Sequence, residues 1–194
     1  MERDQQRWDD RYRNQELASP VPPEALVGDD DLVALLPTSG RALDIACGPG
    51  AQALWLAKRG LDVIAIDVSP VAVDLTRAAA QEHNVGDLVE ARQQDLDDGL
   101  LPDHQATDVI PDGGFDVVLC QRFRDPRIYR RIVEILRPGG TGIVTVLSAV
   151  GLDGEAGDFH APPGDLVEAF DSDDTEVIAQ QEGNGLASIV FRRR

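Results

Sequence analysis

The residues with the clearest chemical potential lie in one short segment, Leu43-Asp44-Ile45-Ala46-Cys47-Gly48-Pro49-Gly50-Ala51. Its glycines let the backbone turn sharply and approach a ligand closely. The segment lacks the lysine and hydroxyl residue of a phosphate-binding loop, and its glycine spacing fits a dinucleotide fingerprint only loosely. The carboxylate of Asp44 would repel a pyrophosphate but suits an ammonium or a sulfonium group. The segment therefore predicts a site for a nucleotide-like ligand that carries positive charge.

Two further carboxylates follow the next strand-like runs of the chain. Asp67 ends the run at 61–66, where a carboxylate can accept hydrogen bonds from both hydroxyls of an adenosine ribose. Asp95 lies within Gln94-Asp95-Leu96, after the run at 88–92, where an acidic or amide side chain can meet the amino group of an adenine. Together with Asp44, these residues predict an adenosine-containing ligand.

The elements that must position these residues alternate along the chain from residue 41 onward. Runs rich in β-branched residues, typical of strands, occupy 41–46, 61–66, 88–92, 115–120 and 141–147. Helical patterns with capping or stop residues occupy 51–59, 70–83 and 126–136. This alternation predicts an α/β fold with a mostly parallel sheet and helices on both of its faces.

The two ends of the chain depart from this alternation. We expect a helix at 163–170 and then a terminal antiparallel hairpin, with strands at 176–181 and 187–192 around a turn at 182–185. Upstream, helical patterns at 2–16 and 24–36 flank a proline-marked break at 19–23. The chain reads as one domain over 1–194, with an N-terminal helical cap at 1–37, a cofactor-binding core at 41–147, and a C-terminal helix and hairpin at 148–194.

Composition narrows the class of partner. The 18 basic and 35 acidic residues give a formal charge of −17, which disfavours binding to nucleic acids and to anionic membrane surfaces. Cys47 and Cys120 do not lie in a cluster with zinc-type spacing, so we expect neither a metal site nor a disulfide framework. The N-terminus is polar, and no window approaches the ~18 apolar residues of a membrane span. We expect a cytoplasmic monomer or homodimer that acts on a small molecule.

Five motifs occur in a fixed order over about residues 41–147. They are Asp-x-Ala-x-Gly-x-Gly at 44–50, Asp67, Asp95, Phe115-Asp116-Val117-Val118 and Leu136-Arg137-Pro138-Gly139-Gly140. Together they resemble the class I S-adenosylmethionine-dependent methyltransferases. The resemblance implies a Rossmann-like sheet of seven strands, five parallel strands plus the terminal hairpin, and S-adenosylmethionine as cofactor. The residues expected at the cofactor besides the three aspartates are Ala46, Cys47, Gly48, Gly50, Val68, Leu96, Cys120 and Gln121.

A narrower resemblance connects the chain to the small tellurite-resistance (TehB) and thiopurine methyltransferase group. The matching stretches are Trp8-Asp9-Asp10-Arg11-Tyr12, Ala51-Gln52-Ala53-Leu54-Trp55-Leu56-Ala57, Ala65-Ile66-Asp67-Val68-Ser69-Pro70 and Pro163-Gly164-Asp165-Leu166. In that group an N-terminal aromatic residue and an arginine help to cover the cofactor, which implies this role for Trp8 and Arg11. The chain departs from the group after the fourth strand, at 122–127. The resemblance therefore does not identify the substrate.

Three residues are candidates for roles in the reaction itself. Methyl transfer needs a general base only when the acceptor must lose a proton. His160 is the candidate because the loop after the fifth strand reaches the carboxyl ends of the strands; the alternative is an exposed loop histidine. Arg122 and Arg124 follow the fourth strand and either attract an anionic acceptor or belong to a solvated surface.

Three functional hypotheses follow. The first is an S-adenosylmethionine-dependent methyltransferase that acts on a small molecule, with an anionic acceptor as one alternative, by direct in-line transfer. The second is a non-catalytic regulatory protein that binds the same cofactor, because only residues 148–162 separate the fifth strand from the next helix and leave little room for a substrate-capping insertion. The third, a nicotinamide-dependent oxidoreductase, is disfavoured by Asp44 and by the terminal hairpin.

Overall fold

The structure is a computed structural model of the chain and describes residues 2–101, 109–152 and 154–194. Within these residues, one sheet contains seven strands: β1 (Arg41–Ile45), β2 (Asp62–Asp67), β3 (Val89–Gln93), β4 (Phe115–Gln121), β5 (Leu136–Leu147), β6 (Thr175–Gly183) and β7 (Leu186–Arg193). Their order across the sheet is β3-β2-β1-β4-β5-β7-β6. The first five strands are parallel to their neighbours, and β7 is antiparallel to both β5 and β6. The predicted α/β fold with its seven-stranded sheet is confirmed.

Helices cover both faces of the sheet. They are α1 (Glu2–Tyr12), α2 (Asp30–Ala34), α3 (Ala51–Lys58), α4 (Pro70–Glu82), α5 (Pro126–Ile135) and α6 (Asp165–Phe170). The central strands are apolar on both faces, and alternate residues enter different cores: Leu43 packs with α5 and α6, whereas Ala42 packs with α3 and α4. The carboxyl edge of the sheet is thus held between two helical layers.

Capping residues explain where the two helices beside that edge begin. The Ser69 hydroxyl accepts a hydrogen bond from the Ala72 amide at 3.2 Å, at the start of α4. The Asp125 carboxylate accepts one from the Arg127 amide at 3.0 Å, at the start of α5. Each cap satisfies an amide that has no partner within the helix. Ser69 lies two residues after the end of β2 and Asp125 four residues after the end of β4, so the caps help to fix the polar residues that leave the sheet there.

The terminal hairpin forms with the predicted turn. Gly183 pairs with Leu186, so β6 and β7 are joined by only Asn184 and Gly185. These two residues have φ of 53° and 79°. Two consecutive left-handed residues define the tight turn that matches the twist of a hairpin, and Asn-Gly is the pair that adopts it most readily.

Three elements differ from the sequence prediction by more than two residues at a boundary. The single helix expected at 24–36 is wrong: a 3-10 turn at Glu24–Leu26 ends before Gly28, whose φ is 79°, and α2 begins afterwards with Asp29 as its cap. α1 ends at Tyr12 rather than at residue 16. β5 begins at Leu136 rather than at residue 141, because Leu136 pairs with Phe115 across an irregularity in β4. None of the helices in the described ranges is both long and apolar enough to cross a bilayer.

Candidate functional site

A cavity of about 690 Å³ opens at the carboxyl edge of the sheet. The ends of β1 to β5 and one side of α1 form its wall. The predicted site residues that line it are Trp8, Arg11, Asp44, Ala46, Cys47, Gly48, Asp67, Val68, Asp95, Leu96, Gln121, Arg122 and Arg124. The volume is in the range of small-molecule sites. Parallel strands thus bring together residues that are far apart in the sequence.

The turn after β1 depends on left-handed backbone conformations. Ala46, Gly48 and Gly50 have φ of 53°, 53° and 90°. A Cβ atom on Gly50 would lie 2.6 Å from Cγ2 of Thr76, so only glycine fits at this position. Gly50 therefore shapes the turn and begins α3 without lining the cavity itself.

Asp67 is fastened to this turn. One of its carboxylate oxygens accepts a hydrogen bond from the Gly48 amide at 2.9 Å, and the other accepts one from the Ser69 amide at 2.9 Å. Burial raises the pKa of the Asp67 carboxyl, while the two backbone amides oppose that shift. Because each carboxylate oxygen can accept a second hydrogen bond, Asp67 retains the capacity to bind two ribose hydroxyls.

Asp44 is buried in the same wall with only 2% of its surface exposed. Its Oδ2 atom has no hydrogen-bond partner within the described residues. Burial, and then the negative charge of Asp67, raises the pKa of Asp44 to about 8. A buried carboxylate oxygen without a donor is costly, and a cationic ligand group would remove that cost. The site therefore fits a ligand with an ammonium group, such as the amino acid part of S-adenosylmethionine.

A second unpartnered polar atom lies at the end of β3. The Nε2 atom of Gln94 is buried without a hydrogen-bond partner among the described residues, and Gln94 lines the cavity. Its neighbour Asp95 accepts a hydrogen bond from the Asp97 amide at 2.9 Å, which fixes the turn there. The Gln94 amide offers a donor and Asp95 an acceptor, the two kinds of group that an adenine edge can engage.

α1 covers the cavity from above the turn. The rings of Trp8 and Tyr12 stack with their centroids 5.6 Å apart, and the Arg11 guanidinium lies 5.6 Å from the Trp8 centroid. Asp9 anchors the helix because its carboxylate accepts a 2.5 Å hydrogen bond from the Ser69 hydroxyl. Burial, followed by the charge of Asp67, raises the pKa of the Tyr12 hydroxyl.

The arginines after β4 line the cavity but are engaged by carboxylates. Arg122 donates to Glu24, whose own amide donates to Gln121 at 2.9 Å. Arg124 donates two hydrogen bonds to Asp165, at 2.6 and 3.0 Å. Arg127, farther along, pairs with Asp125 and Asp97. The positive charge that the sequence concentrates here is therefore neutralised locally.

Two other predicted residues lie away from the cavity wall. His160 is outside the lining, and its Nδ1 atom lies 3.0 Å from the Gly157 amide nitrogen, where it accepts a hydrogen bond. Cys120 is 1% exposed in the core beneath the site. Burial raises the pKa of both cysteine thiols, which are free. The described residues hold no group of three or more side chains arranged as metal ligands.

Several lining residues escaped the sequence reasoning. Tyr12 lies in the matching stretch Trp8-Asp9-Asp10-Arg11-Tyr12, in which only Trp8 and Arg11 are assigned to the cofactor. Arg7 and Phe159 both line the cavity and contact each other, although they lie far apart in the sequence. Only the tertiary fold brings them into contact, so no local pattern could have identified them.

Comparison with known proteins places the chain in a family. Residues 42–140, about half of the chain, match the family model of the methyltransferase domain. The chain belongs to this family, and it is a class I S-adenosylmethionine-dependent methyltransferase by fold and motif. S-adenosylmethionine is therefore its cofactor.

Individual relatives agree with this assignment. The chain is 36% identical over 106 residues to the "Probable cobalt-precorrin-6B C(15)-methyltransferase (decarboxylating)" of Methanothermobacter thermautotrophicus, a match covering 55% of this chain and 52% of that protein. It is 34% identical over 119 residues to the ubiquinone biosynthesis O-methyltransferase of Xanthomonas axonopodis pv. citri, covering 59% and 46%. The chain thus spans about half the length of the curated relatives it matches.

A solved structure extends the comparison to the whole fold. The crystal structure of TehB from Haemophilus influenzae superposes with a TM-score of 0.65 at 18% identity. The superposition covers 98% of this chain and 67% of TehB. This likeness includes α1 and the terminal hairpin, which lie outside the residues matched by the family model.

Proposed function

We propose that the protein catalyses methyl transfer from S-adenosylmethionine to a small-molecule acceptor by direct in-line displacement. The observation that carries this proposal is the buried, unpartnered Oδ2 of Asp44 beside Asp67, within a cavity of about 690 Å³. Two relatives are named as a cobalt-precorrin-6B methyltransferase and a ubiquinone biosynthesis O-methyltransferase, and these names support a small-molecule acceptor. The single-domain extent over 1–194, a cytoplasmic location and a monomeric or homodimeric state stay predictions.

The cofactor would extend along the edge of the sheet. Gln94 and Asp95 at the end of β3 suit the adenine, Asp67 at the end of β2 suits the ribose, and Asp44 in β1 suits the amino group. Because β4 is the next strand after β1, the residues that follow it face the remaining part of the cavity. When bound, S-adenosylmethionine supplies a methyl group on a positively charged sulfur.

The chain's own contribution is then to position the acceptor and exclude water. Phe123 after β4 and Leu147 at the end of β5 provide apolar wall on that side, and Trp8 covers it from α1. The described lining residues include no histidine. We therefore favour an acceptor whose nucleophilic atom has already lost its proton when it binds, such as a thiolate, a phenolate or a carboxylate. A role for His160 as general base stays a prediction, and it requires the loop to move.

Calorimetry followed by turnover assays tests this proposal. Purified protein should bind S-adenosylhomocysteine and S-adenosylmethionine but not NAD, and Asp67→Asn should weaken that binding. Formation of S-adenosylhomocysteine should then be measured with thiols, phenols, carboxylates, and selenium and tellurium oxyanions, with Asp67→Asn as the background control. Tight binding of NAD alone would contradict the proposal. Cofactor binding without turnover of any acceptor would favour the non-catalytic alternative.

A further inference from the structure

The guanidinium of Arg7, which lines the cavity, lies close to two aromatic rings. The Arg7 guanidinium carbon lies 5.5 Å from the Trp8 ring centroid and 4.8 Å from the Phe159 ring centroid. Arg7 and Trp8 come from α1, whereas Phe159 lies in the loop after β5 and is 56% exposed. Contacts of this kind attract a cation to the ring faces and leave the N–H edge of the guanidinium available.

Arg7 and Arg11 differ from the arginines after β4 in their charge environment. Arg122, Arg124 and Arg127 all lie within ion-pair distance of a carboxylate. Within the ranges that the structure describes, no carboxylate lies at ion-pair distance from Arg7 or Arg11. Asp4, three residues earlier on α1, lines the same cavity, but no ion pair joins it to Arg7 among the described residues, so the Arg7 guanidinium can offer its N–H groups to an anionic ligand.

Arg7 lies on the acceptor side rather than the cofactor side. Its ring partner Phe159 follows β5, and β5 is separated from β1 by β4. The carboxylates assigned to the cofactor come from β1 and β2, on the opposite side of β4. Arg11 lies about one helical turn after Arg7 and its guanidinium also approaches the Trp8 ring, but among the described residues only Arg7 approaches the Phe159 ring. The contact with Phe159 therefore ties Arg7, rather than Arg11, to the loop after β5.

Aromatic side chains are concentrated around the cavity. Trp8, Tyr12, Phe123 and Phe159 line the cavity, which is four of the nine aromatic residues in the chain. Ring faces and edges at a cavity mouth favour a planar, unsaturated ligand, because offset and edge-to-face contacts add to the burial of apolar area. A saturated ligand of similar size would forgo those contacts.

We infer that Arg7 and Phe159 form the acceptor subsite and select an aromatic acceptor that carries a carboxylate. The Arg7 N–H groups bind the carboxylate, while Phe159 and Phe123 contact the ring of the acceptor. The inference rests on the proposed function, since it names the substrate class of that same cavity. The inference places the carboxylate of the acceptor at Arg7 in α1 rather than at Arg122 or Arg124 after β4, which already form ion pairs.

Three matched probes separate charge from planarity: 4-hydroxybenzoate, its neutral amide 4-hydroxybenzamide, and the saturated anion 4-hydroxycyclohexanecarboxylate. Binding is measured by calorimetry with the protein saturated by S-adenosylhomocysteine. We expect the wild-type protein to bind 4-hydroxybenzoate about tenfold more tightly than either other probe. Arg7→Gln should remove the preference over the amide, and Phe159→Leu should remove the preference over the saturated anion.

Arg13→Gln is the control, because Arg13 directly follows α1, pairs with Asp10, has a side chain that is 64% exposed and does not line the cavity. It should leave both preferences unchanged, and all three variants should bind S-adenosylhomocysteine as the wild type does. Equal wild-type affinity for the three probes would overturn the inference, as would an unchanged preference in Arg7→Gln. Weaker S-adenosylhomocysteine binding in Arg7→Gln would also overturn it, because Arg7 would then serve the cofactor.

The two proposals can fail separately. If Arg7→Gln removes the preference but no acceptor on the panel is methylated, the anion subsite stands and the transferase proposal fails. If neutral acceptors are methylated and Arg7→Gln changes nothing, the transferase proposal stands and the subsite is wrong. Thermal unfolding of each variant, compared with Arg13→Gln, verifies that the changes act at the cavity rather than on folding.

Discussion

The Asp67 carboxylate and the Gly48 backbone amide are joined by a 2.9 Å hydrogen bond that links the end of β2 to the turn after β1. The second oxygen of the same carboxylate holds the Ser69 amide, at the residue that caps α4. One side chain thus connects the glycine turn, the second strand and the following helix. The position of the residue assigned to the ribose and the shape of the turn are therefore mutually dependent.

Asp67→Asn should damage both features. The asparagine side chain has only one acceptor oxygen, so its NH2 group must meet one of the two backbone N–H donors and that hydrogen bond is lost. Losing a hydrogen bond to a charged group costs about 1.5–3 kcal/mol. We expect a lower midpoint of thermal unfolding and at least about a tenfold loss of affinity for S-adenosylhomocysteine. Asp62→Asn, at the exposed start of the same strand, is the matched control and should leave both quantities unchanged. Full affinity in Asp67→Asn would show that the ribose lies elsewhere.

The raised pKa of Asp44 predicts how the stability of the ligand-free protein changes with pH. Its pKa is raised from 3.8 to about 8, first by burial and then by the charge of Asp67. Between these values the folded chain holds a proton that the unfolded chain releases, so the free energy of unfolding falls as pH rises through this window. Asp44→Asn cannot ionise and should lose this part of the slope. Urea denaturation from pH 5 to pH 8.5 checks the prediction, which is wrong if the two proteins respond to pH alike.

Cofactor binding should show the opposite dependence on pH. An ammonium group next to Asp44 favours the ionised carboxylate, so wild-type affinity for S-adenosylhomocysteine should rise from pH 6 to about 8, with release of a proton. Calorimetry in two buffers with different ionisation enthalpies measures that proton. Asp44→Asn should bind more weakly and release none from this position. A wild-type affinity that is flat over the same range would exclude an ammonium contact at Asp44.

The sequence identified the parts of the site that depend on local spacing. Strand periodicity and glycine turns place Asp44 and Asp67 correctly at strand ends, because each signal lies within a few residues of the carboxylate it positions. The partner of Arg122 is Glu24 and that of Arg124 is Asp165, which are 98 and 41 residues away. No local pattern reports such pairs. The arginines could therefore be recognised as a basic cluster, but not as residues already neutralised by carboxylates.

The ion pair between Arg124 and Asp165 predicts a structural effect of substitution. Arg124→Gln removes the two charged hydrogen bonds to the Asp165 carboxylate, which is only 14% exposed and keeps just the Tyr129 hydroxyl at 3.3 Å as a side-chain donor. We expect a loss of about 1–2 kcal/mol of unfolding free energy, below the value for a fully buried pair because Arg124 is 22% exposed. The double variant Arg124→Gln/Asp165→Asn should recover part of this loss. Urea denaturation of the two single variants and the double variant measures the coupling, and strictly additive losses would contradict it.

The hydrogen bond between Asp9 and Ser69 predicts how α1 controls escape of the cofactor. Ser69 also caps α4, so its removal would weaken the core as well, whereas Asp9→Ala removes the attachment of α1 and leaves that cap in place. We expect Asp9→Ala to raise the dissociation rate of S-adenosylhomocysteine about fivefold, the factor that corresponds to about 1 kcal/mol, with little change in the thermal midpoint. Asp10→Ala is the control, because Asp10 is exposed and pairs with Arg13 on the outer side of the helix. Stopped-flow displacement that follows Trp8 fluorescence in a Trp55→Phe background measures the rate. Equal rates in the two variants would mean that α1 does not retain the cofactor.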